Sequence, residues 1–238
     1  RVTTEALRGL GTWIANLADV EEHHQDEKVR EEASALVALL TPIMKSYGTE
    51  RGFQNVSEAM QVCGGAGYTT DWSIEQYMRD LRIALIYEGT NHIQALDLVG
   101  RKIPAKGGRS VQYFAGKMMA LLKEVGDNEV LAPYAKELQE GLAQLNDVVR
   151  KTLGIAMKDA EIVGATASNI LNLFALNALG YVWLRQAAFA SSKSGKFYEM
   201  KMKSANYYFK MIYPERHGYA AIISEGKAAI NAFEPDDF

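Results

Sequence analysis

In "LRIALIYEGTNHIQ", residues 81 to 94, an apolar helical run stops at Tyr87, presents a single carboxylate at Glu88 and restarts through Gly89 and Thr90. Hiding a carboxylate with no partner costs several kcal/mol, on the order expected for a desolvated ion, so a buried core would avoid one here. Glycine ends helices readily and threonine caps them, so the spacing predicts that Glu88 stands at a junction of two helices with its side chain projecting between them. Burial in an apolar setting raises a carboxyl pKa toward neutrality, which suits general-base chemistry. Free N–H groups in the first turn after Thr90 favour a nearby anion.

A second stretch, "QVCGGAGYTTDW" at residues 61 to 72, sets Gly64, Gly65 and Gly67 at the end of a helical pattern. Glycines allow positive φ and let another surface approach the backbone, while a plain helix-ending turn uses them in the same way. No strand precedes them, so the nicotinamide-dinucleotide fingerprint does not apply. After them Asp71 is a candidate N-cap, and Glu75 stands at helical spacing from Arg79. Glu21 and His24 form one E-x-x-H pair, whereas a carboxylate-bridged metal site in a bundle needs two such pairs and two further glutamates. No metal site is expected. Cys63 is the only cysteine, which leaves no internal disulfide and suits a reducing, cytoplasmic compartment; its expected role is that of a small buried residue.

The elements that must hold these residues read as all-α. Apolar residues recur at helical spacing in Leu36, Leu39, Leu40, Ile43 and Met44, and again in Leu138, Leu142, Leu145, Val148 and Val149. Helices are expected over 3–18, 27–47, 50–63, 73–86, 90–101, 110–125, 130–152, 155–192, 197–212 and 215–231. "DVEEHHQ", at 19–25, reads as a polar connection. "RKIPAKGGRS", at 101–110, breaks the pattern and places a boundary between a first domain, 1–103, and a second, 104–238. The uncharged run from Ile162 to Leu184 is long enough to raise the question of a membrane span. Its Thr166, Ser168, Asn169, Asn172 and Asn177 argue instead for a buried core helix. The aromatics of 197–213 are expected to pack in the core and at interfaces rather than to form a ligand cage.

With 238 residues, 48% of them hydrophobic, and a formal net charge of -3, the chain can bury a large core and offers no basic stripe for nucleic acid. It opens "RVTTEALRGL", without an initiator Met or a signal-peptide layout, and is read as part of a longer protein.

From Ser57 to Lys102 the sequence "SEAMQVCGGAGYTTDWSIEQYMRDLRIALIYEGTNHIQALDLVGRK" resembles the C-terminal helical domain of flavin-dependent acyl-CoA dehydrogenases, with the glycine turn, "RD" and "YEGT" in register. Through "LTPIMKSYGTERGFQ" the likeness extends more loosely toward residue 1. The chain also resembles the subgroup that carries an additional C-terminal helical extension and includes dehydrogenases for 3-(methylthio)propionyl-CoA.

The resemblance implies a helical bundle of that C-terminal type followed by a second helical bundle, with FAD as cofactor and an acyl-CoA thioester as substrate. It implies Glu88 as the base that removes the α-proton, with Tyr87 and Gly89 flanking the thioester and the Glu88 N–H polarising its carbonyl. Gln61, Gly64 and Gly65 match the segment that meets FAD, usually across a subunit interface, and Thr90 and His92 match residues on the same cofactor. A homo-oligomer and an electron-transfer flavoprotein as acceptor follow from the same likeness. The family's flavin-covering domains do not precede residue 1, so the chain alone is expected to be inactive. Competing readings are a helical assembly module without catalysis and a DNA-associated relative of the same fold.

Overall fold

The structure, a computed structural model, describes residues 1–126 and 128–237. Asp127 and Phe238, within the expected second bundle, lie outside the described residues. Every element among the described residues is helical: α1 (Val2–His23), α2 (Glu27–Cys63), α3 (Gly65–Tyr68), α4 (Ile74–Ala84), α5 (Asn91–Asp97), α6 (Arg109–Val125), α7 (Ala132–Ala156), α8 (Glu161–Ser191), α9 (Lys196–Tyr207) and α10 (Glu215–Glu225). The all-α expectation is met.

α8 is the axis of the molecule. Its residues from Leu173 to Leu184 are all buried, because α1, α2, α5, α6, α7, α9 and α10 all pack against the helix. A helix apolar on every side must be enclosed in this way. By length and composition α8 could also cross a membrane, yet 67% of its most apolar window is inside the bundle. Asn177, fully buried, shows how the polar residues of this helix are met: its Nδ2 donates to the Leu173 carbonyl at 2.9 Å and its Oδ1 accepts from the Tyr213 hydroxyl at 2.9 Å. The expectation of a buried core helix holds.

One hydrophobic core crosses the 103/104 position: Leu10, Leu36 and Ile43 from the first segment join Phe114, Phe174 and Trp183 from the second. The C-terminal aromatics pack as expected, with Tyr208, Phe209 and Tyr213 fully enclosed and the Tyr208 hydroxyl on the Leu176 carbonyl at 2.6 Å. Phe197 and Tyr207 remain exposed.

Several expected boundaries are corrected. The segments 27–47 and 50–63 form one helix, α2, which runs through Pro42 and Gly48. Glycine weakens a helix by only about 1 kcal/mol relative to alanine, and a Cβ at Gly48 would be in ordinary contact with Leu7 and Met44, so packing against α1 overrides local propensity. The polar connection shrinks to three residues, because Val20 packs on the core and carries α1 on to His23, and Asp26 then caps α2 by accepting the Lys28 N–H at 2.9 Å. Asp71 does not cap α4: it accepts from the Thr69 hydroxyl at 3.2 Å, and α4 begins three residues later without a side-chain cap. The i,i+4 contact on α4 is Gln76 to Asp80 at 2.7 Å rather than Glu75 to Arg79. Helix 90–101 becomes α5 followed by a π-turn over Leu98–Lys102, and the Tyr-rich helix ends in a second π-turn over Tyr208–Ile212. Cys63 closes α2 and is only half-buried.

Gly141 of α7 lies where α8 and α10 meet. A Cβ there would overlap the Tyr213 ring and stand 2.9 Å from Asn177 Oδ1. Gly141→Ala is therefore expected to destabilise the chain by about 1–3 kcal/mol through overpacking. Chemical denaturation measures it, and an unchanged midpoint would refute the packing described for this corner.

Candidate active site

The turn from Leu85 to Thr90 is built by the end of α4 and the start of α5. Amides of Ile86 and Tyr87 both return to the Ile83 carbonyl, at 2.9 and 3.1 Å, and close α4. The backbone then takes two consecutive left-handed residues, Glu88 at φ 56° and Gly89 at φ 79°. Gly89 adopts this freely, but an L-residue with a Cβ does so at a cost of about 1 kcal/mol, so something must hold Glu88 there. Thr90 next caps α5 as the sequence predicts, its hydroxyl accepting the Ile93 N–H at 3.3 Å.

Four groups hold the turn. Gln94 Nε2 donates to the Glu88 carbonyl at 2.8 Å, and Lys45 Nζ donates to the Gly89 carbonyl at 2.6 Å. The Asn91 N–H reaches back to the Leu85 carbonyl at 3.2 Å. The Asn91 side chain joins the turn to α2: its Oδ1 accepts from Lys45 Nζ at 2.9 Å and from the Thr49 hydroxyl at 3.1 Å, while its Nδ2 donates to the Ser46 carbonyl at 3.2 Å and Glu50 Oε2 at 3.3 Å. The Glu88 carbonyl is thereby engaged from α5 and the Gly89 carbonyl from α2. The Glu88 N–H has no acceptor among the described residues, which leaves it available as a donor.

The sequence reading missed Lys45, Asn91 and Gln94. Lys45 did carry a signal, as a lysine within the apolar periodicity of "TPIMKSYGTE", a position that calls for a partner. Partial burial pulls its ammonium below the ordinary lysine value, and the nearby Glu88 carboxylate acts in the opposite direction. No ion pair engages Glu88 among the described residues.

The expected shielding of Glu88 is corrected. Its side chain is exposed, as are Tyr87, Gly89, Thr90 and His92. None of the described residues covers the turn, and Ile83, Ile86 and Ile93 also leave large apolar surfaces open beside it. Contiguous apolar exposure on this scale marks an interaction surface.

Gln61, Gly64 and Gly65 lie elsewhere. They are exposed at the C-terminal end of α2, whereas the Glu88 turn docks on α2 at Lys45, about 24 Å away along the helix at ~1.5 Å per residue. The two groups of residues are not brought together within this chain. In the glycine turn Gly64 has φ 60°, and a Cβ on Gly67 would press to 2.7 Å from Cys63 Cβ and 2.9 Å from the Met60 carbonyl. Gly65 has neither constraint, and a Cβ there would meet only open space. A glycine that the chain's own packing does not require leaves room for something outside to approach the backbone. His92 Nδ1 lies 2.9 Å from the hydroxyl of Ser168 on α8, so the second segment reaches the edge of the site.

Two family descriptions match this chain: "Acyl-CoA dehydrogenase, C-terminal domain" over residues 2–103 and "Acetyl-CoA dehydrogenase C-terminal like" over residues 114–234. The 3-methylmercaptopropionyl-CoA dehydrogenase of Ruegeria pomeroyi is 30% identical over 221 residues, covering 90% of this chain and 37% of that protein. The broad-specificity linear acyl-CoA dehydrogenase FadE5 of Mycobacterium tuberculosis is 29% identical over 228 residues, covering 88% and 37%. Among solved structures, ACDH-11 of Caenorhabditis elegans in complex with C11-CoA superposes with a TM-score of 0.77 at 22% identity, over 88% of this chain and 34% of that one. An acyl-CoA dehydrogenase from Bacillus anthracis complexed with FAD gives 0.67 at 21%, over 97% and 42%. The last two show a common fold.

The chain belongs to the acyl-CoA dehydrogenase family and carries its C-terminal helical part, as the sequence resemblance implied. It spans a little over a third of the length of the known relatives it matches.

Two substitutions probe the turn. Glu88→Gly removes the left-handed Cβ and is expected to raise stability by about 0.5–1 kcal/mol, seen as a higher denaturation midpoint. Asn91→Ala removes four side-chain contacts and is expected to lower stability by about 1–3 kcal/mol. Amide exchange at 85–93 should rise more than at α8, and uniform exchange across both would contradict its role as the anchor.

Proposed function

We propose that this chain is the C-terminal part of an FAD-dependent acyl-CoA dehydrogenase, in which Glu88 abstracts the α-proton of an acyl-CoA thioester and a trans-2-enoyl-CoA results. The observation that carries the reading is the left-handed Glu88: a position that glycine would fill at lower cost holds a carboxylate instead, at the tip of a turn fixed by Gln94, Lys45 and Asn91. Strain retained against an easier alternative is the mark of a functional residue.

An α-proton beside a thioester is hard to remove because the resulting negative charge must settle on the carbonyl oxygen. The free Glu88 N–H supplies one donor for that oxygen, and Tyr87 and Gly89 bound the thioester on either side. A base must also be poorly hydrated to be strong enough at neutral pH. In this chain Glu88 is in water, so its basicity is set by what covers it: the remainder of the enzyme and the acyl chain itself. FAD, when bound, accepts the hydride from the β-carbon. Thr90 and His92 would hold it from the turn, and Gln61, Gly64 and Gly65 would hold it from the far end of α2 in a neighbouring subunit of a homo-oligomer. The open backbone at Gly65 supports this assignment.

The division into segments 1–103 and 104–238, the electron-transfer flavoprotein as acceptor and a cytoplasmic setting belong to the same reading. The isolated chain is expected to be inactive, since it leaves the base exposed. Two relatives, named for methylmercaptopropionyl-CoA and for linear acyl-CoA, support an acyl-CoA thioester as the substrate class.

Glu88→Gln in the full-length enzyme keeps the side-chain shape and removes the base. Acyl-CoA oxidation is expected to fall by at least about 10²-fold, in line with general-base contributions, while the flavin absorbance is retained. Turnover equal to wild type would refute Glu88 as the base and favour an assembly role for the chain.

A further inference from the structure

Two buried polar side chains of α8 donate to carbonyls of their own helix. Thr166 donates to the Ile162 carbonyl at 2.7 Å and Asn177 to that of Leu173 at 2.9 Å, the four-residue back-bond that hydroxyl and amide side chains make in helices. Ser168 departs from this habit. Its hydroxyl meets His92 Nδ1 at 2.9 Å, across to the other segment, and it has no other partner among the described residues.

Both residues are exposed, so core packing does not explain the contact. Its consequence lies in the imidazole. A histidine whose Nδ1 is held has its ring plane fixed, and the partner at one nitrogen decides the role of the other. Nε2 of His92 has no partner among the described residues, on a side chain that is exposed two residues from Thr90.

We infer that Ser168 is a positioning residue of the flavin site: its hydroxyl fixes the ring and tautomer of His92, so that Nε2 is presented as a hydrogen-bond donor to the bound flavin dinucleotide. With the Ser168 O–H donating to Nδ1, the ring proton resides on Nε2, as the phosphate and carbonyl oxygens of the dinucleotide require of a donor. The second segment then serves the site directly, through one side chain two turns into α8. α5, which bears His92, has only seven residues and depends on its neighbours for its position. This inference rests on the reading of the chain as part of a flavoprotein.

The test uses the full-length flavoprotein, stripped of FAD and titrated with FAD by fluorescence quenching. Ser168→Ala is expected to weaken FAD binding about 3- to 10-fold, the range of one neutral hydrogen bond. Its melting temperature should hold or rise slightly, because alanine is the better helix former at an exposed site. Ser168→Thr keeps the hydroxyl and should stay within about twofold of wild type. His92→Ala should weaken binding as well, and Ser168→Ala added to it should weaken it no further.

Wild-type affinity in Ser168→Ala, or equal weakening by alanine and threonine, would overturn the inference. Neither result touches Glu88, whose effect is read as turnover in flavin-loaded enzyme. A full-length protein that takes up no FAD in any form would instead overturn the proposed function, and this inference with it.

Discussion

The contact on which the site depends is the seating of the Asn91 side chain on α2. A backbone that places a glutamate and a glycine in succession in left-handed conformations does not persist by local preference, since the glutamate there costs about 1 kcal/mol. Asn91 offsets this with two accepted and two donated hydrogen bonds at the first residue of α5, and Lys45 spans from Asn91 to the Gly89 carbonyl. Neutral hydrogen bonds contribute about 1 kcal/mol each, so the anchor outweighs the strain. The turn can therefore hold the Glu88 side chain at its tip while its carbonyls are engaged by Gln94 and Lys45.

That anchor is only as rigid as α2, and α2 is held from both ends of the chain. α1 packs along it, α8 passes behind it, and Arg51 pairs with Glu215 of α10 while lying over the Tyr47 ring at 5.0 Å. Burial pushes the Tyr47 phenol well above its ordinary value, so the ring stays neutral beneath the guanidinium. α10 is fixed to α7 by Arg216, nearly fully buried, which reaches Glu137 at 3.0 Å and Gln144 at 3.0 Å and stacks on Tyr213 at 5.1 Å. A buried cation left without its carboxylate costs about 3–5 kcal/mol, so this pair fixes the position of α10 more than it adds stability.

The exposed face around residues 83–93 completes this picture. A core built around α8 satisfies the chain's own packing, and the same chain leaves isoleucines and aromatics uncovered beside Glu88. Those residues are spent on surfaces that lie outside the bundle. The carboxylate and the apolar side chains around it are open for one reason: none of the described residues packs over the turn.

Sequence alone determined the helical class, the burial of α8, the cap at Thr90 and the family, because each of these is written in local periodicity, helix-end chemistry or an ordered run of motif residues. It also singled out Glu88 and Gly64. It misplaced the break at Gly48 and the cap at Asp71, and it expected Glu88 to be hidden, because packing partners and solvent access are properties of surfaces that meet from distant parts of the chain. Only the tertiary structure decided that Lys45, Asn91 and Gln94 hold the turn, that Gln61 and Gly65 stand far from it, and that Ser168 touches His92 across 76 residues of sequence. Hydrogen bonds between side chains so far apart leave no period in the sequence, since each partner taken singly is an ordinary polar residue on a helix.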